Sequence, residues 1–180
     1  VDWDALLEEF RPQFEAADDA SDATAYRLAL RAFAWAIPDG HVNAGGISDG
    51  FQQAVSGGIG MGIRDVDSGD VVVNYILAGG PAEEAGIEVG AVVSEINGTP
   101  INEWVDNAVA FSGPFSTDFT ERLQKLRYAV RAPLGESFEV VFQNPDADEP
   151  ETVTLDTVPE FESFSQSSFA AGTGILDLPV

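Results

Sequence analysis

The stretch "GGIGMGI", residues 57–63, places four glycines in seven positions and runs straight into an apolar segment. A backbone this free of Cβ atoms can turn successive N–H groups into one space, which is the geometry of an anion-binding nest. A phosphate fits badly, because no Gly-Lys-Ser/Thr ending is present and a strand pattern follows where a helix would be needed. A dinucleotide fingerprint fails for the same topological reason. A carboxylate fits better: a strand leaving such a nest offers its open edge to an extended peptide whose terminal carboxylate sits in the loop. On the loop alone, a plain structural bend into a strand stays open as well.

The flanking sequence tells what kind of scaffold carries the loop. Residues 3–37 read as helices, with Trp3, Leu6, Leu7, Phe10 and Phe14 at helical spacing and Pro12 predicting a kink or a break. Ser21 is the expected N-cap of a second helix carrying Tyr26, Leu30, Phe33 and Ile37 on one face. Three runs rich in Val and Ile, residues 61–66, 71–77 and 91–96, predict strands, the first two joined by a turn at "DSGD". Residues 81–85 predict one helical turn with Pro81 at its start and Gly86 as its stop. Residues 102–115 are ambiguous between a short helix and a loop. Ser116 is the expected cap of a longer helix over residues 117–131, with Phe119, Leu123, Leu126 and Val130 on one face. Two further strands, 137–143 and 152–158, flank the acidic loop "NPDADEPE", and residues 159–180 show no period.

Charge and composition exclude several functions. The chain has 180 residues, with 31 acidic against 8 basic side chains. A field of that sign disfavours phosphate backbones and anionic membranes, so neither nucleic acid nor a lipid surface is expected as a partner. No cysteine is present, which removes disulfides and thiolate metal sites. His41 is the lone histidine, so a histidine-based metal cluster is excluded, and "DVDSGD" lacks the Gly and Glu spacing of a calcium loop. No cofactor is expected. No run approaches the roughly 20 apolar residues of a membrane span.

Taken together, "GGIGMGI", "AGGPAEEAGIEVGAVVSEINGTPI" and "RAPLGESFEVVF" resemble a PDZ domain. More narrowly, they are similar to the circularly permuted PDZ of the carboxyl-terminal processing peptidases, the tail-specific and tricorn-like serine peptidase family. Ala91 stands where that pattern usually has Asp. The helices ending in "IPDGHV" are similar to the N-terminal helical region of the same family. The resemblance covers roughly residues 1–158.

What the resemblance implies is an α+β fold: an N-terminal helical region (1–42), a linker (43–56), a PDZ-like partly open β-barrel with two helices (57–158), and a linker (159–180) into a catalytic core expected beyond this chain. Gly58, Ile59, Gly60 and Met61 would hold the carboxylate of a substrate's C-terminal tail. Met61 to Asp65 would form the edge strand with Ile63 along it, and Leu123 and Leu126 would face it from the long helix. For those two leucines, ordinary core packing is the competing account, and Arg64 is either a support for the carboxylate or a solvated surface residue. His41 is either a contributor to catalysis or a loop residue bonded to the Asp39 turn. The implied parent protein is a serine-type endopeptidase of the extracellular space or periplasm, with this chain binding tails and cleaving nothing by itself. A stand-alone peptide-binding scaffold, or an inactive relative that binds apolar small molecules, remains the alternative.

Overall fold

The computed structural model describes residues 1–42, 44, 54–111 and 113–169. Most of the expected 43–56 linker and the end of the 159–180 segment lie outside these. Two compact units result, one made of Val1–Phe51 with Phe111–Glu121, the other of Gln52–Ala110 with Arg122–Val180.

The first unit is built on a helical hairpin. Helix α1 (Trp3–Asp19) starts at Asp2, whose side chain accepts from Ala5 N, and it runs through Pro12 without a break. An interior proline removes one hydrogen bond of the ladder and its ring crowds the carbonyl four residues back, and the helix carries both costs at Pro12. Helix α2 (Ala23–Trp35) is capped by Asp22, which accepts from Thr24 N and Ala25 N. Ser21, the expected cap, instead occupies the left-handed turn before it, at φ 52°. The hairpin closes on aromatic edges: Phe10 meets Phe33 at 5.7 Å and Phe14 meets Tyr26 at 5.1 Å. Of the expected apolar stripe only Phe10 is fully buried, while Trp3, Leu7, Tyr26 and Leu30 stay exposed. Two helices share one narrow seam, and a stripe wider than that seam cannot be covered by it.

The second unit is a sheet in the order β2-β3-β4-β7-β8, with a separate two-stranded pairing of β1 and β6. The strands are β1 (Gly57–Gly58), β2 (Met61–Asp65), β3 (Val71–Ile76), β4 (Val92–Ile96), β5 (Thr99–Pro100), β6 (Arg131–Ala132), β7 (Ser137–Gln143) and β8 (Glu151–Asp156). Pairing along the main path is antiparallel. The sheet does not close, so β2 is left as an edge. Asn97 and Gly98, both at positive φ, form the two-residue turn between β4 and β5. Helix α3 (Pro81–Glu84) is the expected single turn with proline at its start. The ambiguous stretch resolves into helix α4 (Ile101–Asn107) followed by irregular chain.

Helix α5 (Asp118–Ala129) begins in the first unit and continues in the second. Its cap is Thr117, whose Oγ1 accepts from Thr120 N at 3.1 Å. Ser116, the residue expected there, accepts from Gly40 N instead. Helix α6 (Glu162–Phe169) forms where the sequence shows no period. Its Phe161–Phe164 and Tyr128–Phe164 ring contacts show why: tertiary packing holds this short helix, not an amphipathic repeat. One core serves the unit, joining Ile59, Met61 and Ile63 to Val73, Val93, Leu126, Val130, Phe138 and Phe142.

Candidate functional site

The glycine loop is held from behind. Ile59 O accepts from Ala82 N at 3.2 Å, and Gly60 O accepts from Leu77 N at 2.8 Å. A trans peptide points its C=O and N–H in opposite directions, so the Gly60 and Met61 N–H groups face away from α3 and β3. For Met61 that direction is the open edge of β2. Gly60 carries the turn at φ 74°, and a Cβ there would lie 3.0 Å from Pro81 Cδ. Any larger residue at position 60 therefore strains the backbone before it can affect a ligand.

Opposite the edge stands α5. Leu126 is 1% exposed and Leu123 is half-buried. Ile59, Met61 and Ile63 have their side chains in the core, so what β2 can offer a ligand along its edge is backbone. Near the far end of β2, Arg122 reaches from α5 to Asp65 with both arms, Nε to Oδ2 at 3.0 Å and Nη2 to Oδ1 at 2.9 Å. The same guanidinium donates to Asp106 Oδ1 at 2.8 Å and Asn102 Oδ1 at 2.6 Å, tying α4 to the pair. The hydrogen bonds that Arg122 donates to Asp65 raise the Arg122 pKa above the ordinary arginine value, against the opposing effect of burial. Arg64 sits half-buried near that same far end of the strand, and burial lowers its pKa.

Beside the loop lies an arginine that sequence reading passed over. Arg131, in β6, has a side chain at 0% exposure and pairs with Glu160 at 2.7 Å. It also donates through Nε and Nη2 to Val55 O and through Nη2 to Glu160 O. Burial lowers its pKa, outweighing the pull of Glu160. A Cβ at Gly58 would overlap the Glu160 carboxylate and the Arg131 guanidinium, so glycine is required there for the pair to fit. The available signal was an arginine directly after the apolar end of a helix, in "AVRAP".

His41 belongs to the first unit. Its backbone N–H and its ring both bond Asp39 Oδ1, each at 2.9 Å, with the ring Nδ1–H as donor to the carboxylate. The backbone bond from His41 is the main cause that lowers the Asp39 pKa, with the ring bond second. The ring itself is almost fully exposed. Of the expected site residues, the structure thus joins Gly58, Ile59, Gly60, Met61, Ile63, Leu123 and Leu126 within one unit and leaves His41 in the other.

Tyr75 carries a direct prediction. Its hydroxyl donates to Glu162 Oε1 at 2.7 Å, and burial, followed by that bond, pushes its pKa from 10.0 up to about 12. The folded chain keeps the phenolic proton longer than the unfolded one. The contact's stability is therefore fully present below pH 10 and lost as pH rises through about 12. A phenolate absorbance step near pH 12 that Tyr75→Phe removes is the expected result; an unchanged titration in that variant would refute it.

Comparison with known proteins bears on the fold. The PDZ domain family matches residues 51–116, ending before α5. No curated protein sequence matches the chain. Among solved structures, mature CPAF complexed with lactacystin superposes at a TM-score of 0.50 and 14% identity, over 74% of this chain and 25% of that one. A photosystem II D1 C-terminal processing protease gives 0.43 and 21%, over 86% and 43%. An HtrA-type protease with decapeptide gives 0.40 and 18%, over 63% and 31%. The chain thus spans about a quarter of the CPAF chain's length. It has an α+β fold with a PDZ domain whose sheet is not a closed barrel. Among the described residues no helix is long and apolar enough to cross a membrane.

Proposed function

We propose that this PDZ domain is the substrate-recognition part of a carboxyl-terminal processing serine peptidase, capturing C-terminal tails of protein substrates. The observation that carries the reading is the outward-facing amide of Met61, where the glycine loop enters an edge strand that has α5 across from it. A tail would add as an antiparallel strand on β2, its carboxylate taken by the loop amides and its side chains alternating toward α5. The bidentate Arg122–Asp65 bridge at the far end of β2 limits the seated tail to a few residues. Catalysis is assigned to a separate core, to which His41, oriented by Asp39, would contribute. The proposed compartment is extracellular or periplasmic.

The test is a short neutral peptide with an apolar C-terminal residue, titrated by fluorescence anisotropy as the free acid and as its amide. Hydrogen bonds to a charged acceptor contribute about 1.5–3 kcal/mol, so the acid is expected to bind at least about tenfold tighter. Equal affinities would overturn tail capture.

A further inference from the structure

We propose that residues 158–169 are an internal ligand of this same groove, which an incoming tail must displace. The proposal rests on the tail-capture reading and adds how that site is regulated. Two parts of a bound tail, a backbone pairing at the glycine loop and a carboxylate beside it, have counterparts within the chain. Val158 pairs with Gly58 as an antiparallel bridge, exchanging both backbone hydrogen bonds at 3.0 and 2.9 Å, and so takes the loop's first amide. Two residues on, Glu160 supplies a carboxylate against the glycine loop, at the position where an added Gly58 Cβ would fall. That carboxylate is ion-paired to the buried Arg131 and accepts from both Oγ and N of Ser163.

Helix α6 then lies against both walls. On the strand side it packs on β2 and β3, and Glu162 accepts from Tyr75. On the helix side, Phe164 O accepts from Arg127 Nε and Nη2 at 3.2 and 3.1 Å, while the Phe164 ring sits 3.9 Å from the Arg127 guanidinium. Ser163 is 1% exposed and Phe164 6% exposed, so the segment is docked, not draped over the surface. Touching β2 and reaching α5 through Arg127, the segment would cover the space between them. Its anchors are the Glu160 ion pair, the Glu162–Tyr75 bond and the Phe164 contacts, and once the strap leaves, Arg131, freed of Glu160, presents its Nη1 to the tail's own carboxylate.

A site whose competent state is only fractionally populated binds with its affinity reduced by that fraction. Glu160→Gln and Phe164→Ala, each removing one anchor, are therefore expected to bind the free-acid peptide about tenfold tighter than the unmodified chain. In the unmodified chain, adding that peptide is expected to speed amide hydrogen exchange across residues 160–169, a readout that needs no variant. Equal affinities in all three chains, with exchange in residues 160–169 unmoved by peptide, would overturn the strap and leave tail capture standing. If no chain distinguishes acid from amide, tail capture falls and the strap with it.

Discussion

Arg131→Met is expected to lower the unfolding free energy by roughly 3–5 kcal/mol, the usual cost of removing one partner from a buried ion pair. The size follows from what is left behind. The Glu160 side chain is 7% exposed and would keep its charge with Ser163 as its remaining partner. Val55 O would lose both of the hydrogen bonds it receives from this guanidinium. Replacing Glu160 by Gln in the same chain removes the stranded charge, so the double variant is expected to recover part of the loss. Denaturant unfolding of the four chains gives the coupling directly. A loss below about 1 kcal/mol for Arg131→Met would mean that water reaches the pair, because exposed pairs are worth no more than that.

The elements of the PDZ domain were legible because their signals are local. A Pro-Ala start and a Gly stop define α3 within six residues, Asn97-Gly98 dictates its own turn, and the Val-Ile runs end at Asp, Gly or Asn. The glycine loop and its edge strand were legible for the same reason. What escaped was non-local. Nothing near Arg131 in sequence shows that its partner is Glu160, or that both must pack where Gly58 has no side chain. Helix α6 escaped likewise, since its stability comes from Tyr128, Arg127 and Tyr75, all distant in the chain. Cap positions erred by a single residue, Asp22 for Ser21 and Thr117 for Ser116, because neighbouring polar residues compete for the same role and only the turn geometry decides. In α1 Phe10 and Phe14 of the expected stripe meet α2 while Trp3 and Leu7 stay exposed, because the width of the buried seam depends on what packs against the hairpin.

Phe142→Ala is expected to match the loss at Arg131, about 3–5 kcal/mol for a buried phenylalanine, and the contrast between the two variants carries the argument further. Phe142 lies in β7, 1% exposed, paired with Val93 on β4 and Glu151 on β8. The cavity left there weakens the middle of the sheet, and opening it requires the whole unit to unfold. Arg131, by contrast, fastens the segment that leads into α6. Proteins open in cooperative pieces with different free energies, so equal losses in global stability need not expose the same amides. Hydrogen exchange is expected to accelerate across residues 160–169 in Arg131→Met well beyond the rate set by global unfolding. In Phe142→Ala the same residues should track global unfolding, with tail affinity unchanged. If Phe142→Ala instead tightened tail binding as much as Glu160→Gln does, the gain would come from general loosening of the domain, and α6 would be an ordinary packed helix with no bearing on the groove.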